Sequence, residues 1–219
     1  MRLDHGDALR YLGAGEQAPE ELRLAVERTA AMLEESVQPS FVYRVFDLER
    51  RAEGMFLRGA ELLLPGEMAQ TMLADCSQAA LLACTLGSRF DAMLLAEQAR
   101  DMARAVILDA CGSALVEAGC DEAERQIAAR LPEYFLTDRF SPGYGDLPLE
   151  LQRDICAVLD SRRRLGLHVT DSLLLNPVKS VTAVIGISER PQMARIRGCA
   201  CCAMREHCTL RKGGNHCGL

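Results

Sequence analysis

No run of about 18 uncharged apolar residues occurs in the sequence, and a membrane-spanning helix needs that length. The first residues, MRLDHGDALR, lack the basic start and apolar stretch of a secretory leader. A membrane partner is therefore not expected, and the chain reads as cytoplasmic. No internal repeat is present, and no low-complexity segment beyond a Cys-rich tail. The regular alternation of strands and helices that builds a Rossmann-type sheet is also missing. Between Ser88 and Leu131 there is no proline and only two glycines, Gly112 and Gly119, so little interrupts a long helical section.

What is there suits one domain or two small ones: 219 residues, 49% hydrophobic and 26% charged. The net charge of −6 is unevenly spread. From Arg190 onward six basic residues face one acid, Glu206, so this end is +5 and the remainder −11. An acidic body with a basic end is not a nucleic-acid-binding pattern, although the end could meet an anionic protein or cofactor. Ten cysteines without a leader point to thiols or metal in a reducing compartment. Cys76, Cys84, Cys111, Cys120 and Cys156 lie in apolar stretches and read as small core residues. The other five fall in the last 21 residues.

Pro19-Glu20-Glu21 opens a helix whose apolar positions Leu22, Val26, Ala30, Leu33 and Val37 recur every three or four residues up to Pro39. Strands are predicted over Phe41–Leu48, Glu61–Leu64 and Ala79–Leu86, with a helix near Glu67–Leu73. Ala99, Met102, Ala103, Val106, Ala110, Ala114 and Leu115 mark one face of the helical section that Pro132 ends. Pro148 opens a further helix to about Leu159, with Arg162-Arg163-Arg164 at its end, where cations are favoured by the helix dipole. His168–Leu175 and Lys179–Ser188, separated by Asn176-Pro177, read as two more strands. The expected class is α+β: helical N-terminal and central segments with a twisted, mainly antiparallel sheet.

One stretch carries more than secondary structure. Arg139-Phe140-Ser141-Pro142-Gly143-Tyr144-Gly145-Asp146 is followed by a helix, then Val169-Thr170-Asp171-Ser172, then Asn176-Pro177-Val178-Lys179-Ser180-Val181-Thr182. In order and spacing this resembles the activation, or reactivation, domain of vitamin B12-dependent methionine synthase. Leu9-Arg10-Tyr11-Leu12-Gly13 and Val42-Tyr43-Arg44-Val45-Phe46 resemble stand-alone short members of that family. The resemblance implies a domain over 1–190 with a Cys-rich basic tail over 191–219.

It also implies an S-adenosylmethionine site. Arg139 offers a planar fork of donors suited to the methionyl carboxylate. Ser141 and Gly143 sit in an open turn whose backbone can approach adenine, and Tyr144 supplies an aromatic face for the base or the sulfonium. Family members place an acid on the long helix against the ligand's ammonium group, and Glu117 is the best-placed residue, with Asp109 as the alternative. His168 reads as a core or edge histidine.

Cys199-Ala-Cys201-Cys202, with Cys208 and Cys217 downstream, offers a C-x₂-C pair and two later thiols. Cys199, Cys202, Cys208 and Cys217 suffice for an iron–sulfur cluster or a tetrahedral zinc, with His207 and His216 as substitute ligands and Cys201 beside Cys202 leaving the set open; the spacing alone does not choose the metal, and free thiols are the remaining reading. Reactivating an oxidised corrinoid consumes an electron as well as a methyl group, which favours a cluster. The resemblance thus implies an accessory protein for reductive methylation of cobalamin held by a corrinoid-binding methyltransferase subunit, served by an electron donor such as a flavodoxin or ferredoxin. Two other readings stand beside it: a ligand-responsive regulatory module without turnover, and an iron–sulfur subunit of an anaerobic corrinoid methyltransferase system.

Overall fold

The computed structural model describes residues 1–192, so Cys199, Cys202, Cys208 and Cys217 lie outside the described residues. Helix α1 (His5–Tyr11) is too short to leave a periodic signature and starts where the Asp4 carboxylate accepts from the Asp7 N–H at 3.0 Å. Helix α2 (Glu20–Ser36) follows Pro19 as expected and buries Val26, Ala30 and Leu33 on one face. Strand β1 (Ser40–Arg51) turns directly into β2 (Gly54–Arg58), with Arg51 opposite Gly54 in an antiparallel register, and β3 (Leu62–Pro65) pairs back on β2. Helix α3 (Gly66–Met72) leads into β4 (Gln78–Thr85).

The long helical section is two helices, α4 (Gly87–Gln98) and α5 (Met102–Arg130). Asp101 makes the break, its carboxylate accepting from the N–H groups of Ala103 and Arg104 at 3.0 and 3.2 Å and so capping α5. After β5 (Phe135–Leu136), α6 (Leu151–Leu159) and α7 (Ser161–Leu165) are separated by Asp160 in the left-handed region, φ 51°. The arginine triple therefore forms its own short helix rather than the end of the preceding one. The predicted strand over His168–Leu175 folds on itself instead. Its ends are β6 (His168–Val169) and β7 (Leu175–Asn176), paired antiparallel around a turn in which Thr170 and Leu174 exchange hydrogen bonds. Strand β8 (Ser180–Ser188) closes the described chain.

The main sheet has six strands in the order β3-β2-β1-β4-β8-β5; the β1–β2, β2–β3 and β5–β8 pairs are antiparallel. The class is α+β. Residues Ala79–Thr85 of β4 and Thr182–Ser188 of β8 are buried throughout, matching their interior places in the sheet. Among the described residues no helix is long and apolar enough to cross a membrane.

The chain divides into two compact units. The first comprises Met1–Tyr43, Leu82–Arg125 and Ile155–Thr182. Helix α5 is its spine: Gly112 leaves room for the fully buried Phe90 ring, and a Cβ on Gly119 would lie 2.7 Å from Pro39 Cβ and 2.8 Å from Cys84 Sγ. Cys111 and Cys84 point their thiols at the Val26 and Val116 carbonyls. The second unit comprises Arg44–Leu81, Gln126–Asp154 and the described residues from Ala183 onward. Its core includes Met55, Leu57, Leu64, Met72, Leu73, Phe140 and Leu147.

Candidate functional site

The Arg139–Asp146 segment belongs to the second unit and is held at both ends. Upstream, the Thr137 N–H donates to the Gly186 carbonyl at 2.9 Å and the Gly186 N–H returns to Thr137 Oγ1 at 2.8 Å. Phe140, fully buried, forms an antiparallel bridge with Val184 through bonds of 3.0 and 2.8 Å. Neighbouring residues of extended chain project to opposite sides, so a buried Phe140 directs Arg139 the other way; Arg139 is half-buried.

Downstream, the Asp146 carboxylate accepts from the N–H groups of Glu67 and Met68 at 2.6 and 2.9 Å, at the start of α3. These backbone donors hold its carboxyl below the usual aspartate range. A side chain on Gly66, which has φ +92°, would run into this carboxylate. Between the anchors the turn is tight. Tyr144 N–H donates to the Ser141 carbonyl, Leu147 N–H to the Tyr144 carbonyl, and Gly143 N–H to the Leu147 carbonyl, at 3.1, 2.9 and 2.8 Å.

Pro142 and Leu147 face inward, whereas Gly143 and Tyr144 face out, Tyr144 being 47% exposed. Gly143 has φ +93°, and a Cβ there would touch only Leu149, at 3.4 Å. The sequence-predicted residues Arg139, Ser141, Gly143 and Tyr144 thus share one loop whose ends are fixed and whose crown is open. This arrangement brings a guanidinium, an exposed ring and a backbone unscreened by a side chain at Gly143 into one loop.

Glu117 belongs to the first unit, on α5, where its charge adds to burial in raising the Tyr11 phenol above its ordinary value. Asp109 is committed elsewhere: Lys179 Nζ donates to its carboxylate at 2.9 Å and to Ser113 Oγ at 2.9 Å. His168 is an exposed strand residue at the ribbon's edge. Among the described residues no group of three or more His, Cys, Asp or Glu side chains is placed to hold a metal.

Sequence reasoning missed Asp146 as an anchor, because the helix it caps lies 79 residues earlier. It also missed Asp91, whose carboxylate accepts from the Val178 N–H at 3.0 Å.

No family model matches the chain, and no curated protein matches it. Among solved structures it is similar to the MetH reactivation domain bound to AdoHcy, at 15% identity and a TM-score of 0.67, over 97% of this chain and 82% of the other. The fold is that of the MetH reactivation domain. Its helices and antiparallel pairings agree with the sequence resemblance carried by Arg139–Thr182, although at this identity the reactivation-domain likeness establishes architecture and not chemistry.

Proposed function

We propose that the chain binds S-adenosylmethionine at the Arg139–Tyr144 loop and assists reductive methylation of cobalamin on a corrinoid methyltransferase partner. The observation that carries this reading is the loop itself. Phe140 and Asp146 pin it, leaving Arg139, Ser141, the open Gly143 backbone and the exposed Tyr144 ring together. Support also comes from the fold, since a solved protein that shares it is bound to AdoHcy, the demethylated form of the proposed ligand.

In this reading Arg139 binds the methionyl carboxylate, the Ser141–Gly143 backbone approaches adenine, and Tyr144 packs on the base or near the sulfonium. S-Adenosylmethionine supplies the methyl group, and the partner's corrinoid receives it together with an electron from a flavodoxin- or ferredoxin-type donor. The chain contributes binding, orientation and exclusion of water, so its own residues include no nucleophile or general base for the step. Cys199, Cys202, Cys208 and Cys217 are proposed as ligands of an iron–sulfur cluster, with zinc as the other occupant their chemistry allows.

Two experiments bear on this. Transfer of a labelled methyl group from S-adenosylmethionine to the oxidised corrinoid of a cobalamin-dependent methyltransferase, under a one-electron reductant, should accelerate when the chain is added. Equal rates with and without it contradict the accessory role. Anaerobic reconstitution with iron and sulfide should give a coloured protein, and Cys199→Ser with Cys202→Ser should remove the colour; a colourless wild type contradicts the cluster.

A further inference from the structure

Two glycines flank Tyr144, and a large apolar side chain lies against each. The half-buried Met68 of α3 runs along the bare Cα of Gly145: a Cβ there would stand 2.7 Å from Met68 Cε, 3.4 Å from its Cβ and 3.7 Å from its Cγ. Leu149 does the same at Gly143, where a Cβ would meet its Cδ1 at 3.4 Å. Leu149 is 39% exposed and Tyr144 47%. Met68 and residues 143–149 all belong to the second unit.

Backbone hydrogen bonds fix both neighbours. Asp146, next to Gly145, accepts from the Met68 N–H at 2.9 Å, so α3 joins the loop at the residue that carries the thioether. Gly143 N–H donates to the Leu147 carbonyl and Leu147 N–H to the Tyr144 carbonyl, at 2.8 and 2.9 Å, which folds the chain back and brings Leu149 onto Gly143. Met68 and Leu149 thus border Tyr144 through its two chain neighbours, and each keeps part of its apolar surface exposed.

An aromatic face bordered by a thioether and an isobutyl group suits a flat, neutral ring. Sites for such rings combine apolar walls with a few placed polar groups. Here the Gly143 carbonyl and the Gly145 N–H have no hydrogen-bond partner among the described residues, so an acceptor and a donor remain for the ring's edge. Adenine offers the matching pair, an exocyclic amino group that donates and ring nitrogens that accept. The seat therefore favours the base over the sulfonium as the group that meets Tyr144.

We infer that Met68 and Leu149 are adenine-contacting residues that flank Tyr144 and give the site its preference for an adenosyl group; this rests on the S-adenosylmethionine reading and extends it to α3. The test uses the full chain with its nine methionines labelled at the ε-methyl carbon. The Met68 signal in a two-dimensional NMR spectrum is the one missing from Met68→Leu. Adding S-adenosylmethionine should move that signal upfield through the ring current of the base, and S-adenosylhomocysteine should move it alike. Methionine, which has no base, should leave it in place. By calorimetry Met68→Ala and Leu149→Ala should each weaken S-adenosylmethionine roughly tenfold, the loss expected when a large apolar contact is removed. Met68→Leu, similar in volume, should retain most of the affinity. A purely structural role would lower the thermal midpoint of the alanine variants without moving the wild-type methyl signal. Wild-type binding with an unmoved Met68 methyl, or with unchanged affinity in both alanine variants, overturns this inference and leaves the S-adenosylmethionine reading standing. No binding by the wild type overturns both.

Discussion

Asp146 shows how a single side chain can set a loop. Its two backbone hydrogen bonds favour the ionised form, so its folded-state pKa lies below the ordinary 3.8. The sign follows: the stabilisation is complete above the unfolded value and is lost as pH falls through the lower folded value. Asp146→Ala should lower the thermal midpoint by a constant amount at neutral pH, and the gap from wild type should shrink below pH 3.8. A gap that stays constant into strong acid contradicts the anchoring role. Cys111 gives a second test, since burial pushes its thiol up to about 12. An alkylating reagent at pH 8 should label Cys111 only after denaturant is added, as read by mass spectrometry. Much of the Arg139–Tyr144 loop was legible at this scale, because Ser-Pro-Gly-Tyr-Gly encodes its turn locally. Asp146 was not legible, since its partners Glu67 and Met68 are distant in sequence.

Among the elements, α2 was legible because its apolar positions recur at helical spacing. Helix α5 was legible as a helix but not in its buried face: of the positions read for it, Ala110, Ala114 and Leu115 are buried while Ala99, Met102, Ala103 and Val106 are exposed. The α4–α5 break, the β1–β2 hairpin and the β6–β7 ribbon were not legible. A single capping carboxylate, a two-residue turn and a self-paired apolar run each leave the hydrophobic pattern almost unchanged. Asp101→Ala should therefore cost about 1 kcal/mol in denaturant unfolding, the usual value of a lost helix cap. Gly112→Ala tests packing between α4 and α5. Alanine is about 1 kcal/mol the better helix former, yet its Cβ would overlap the buried Phe90 ring. Overpacking should win, because a typical penalty of about 1–3 kcal/mol less that gain leaves a net loss of up to about 2 kcal/mol, and Phe90→Leu should restore most of it. If Gly112→Ala stabilises the protein, the packing described for α4 and α5 is wrong.

For the whole molecule, composition and the lack of βαβ rhythm were enough for the α+β class, whereas strand order depends on pairings between distant segments that no local pattern encodes. The fold is shared with a protein that binds AdoHcy, and a fold does not by itself carry a function. The account therefore turns on whether the pinned loop holds the ligand. The most direct measurement is calorimetric titration of the anaerobically purified chain with S-adenosylmethionine, alongside S-adenosylhomocysteine and an Arg139→Ala variant. Saturable binding at one site is expected, weakened in the variant by about 1.5–3 kcal/mol, the range for hydrogen bonds to a charged group. No binding by the wild type, or equal affinity in Arg139→Ala, would contradict the assignment.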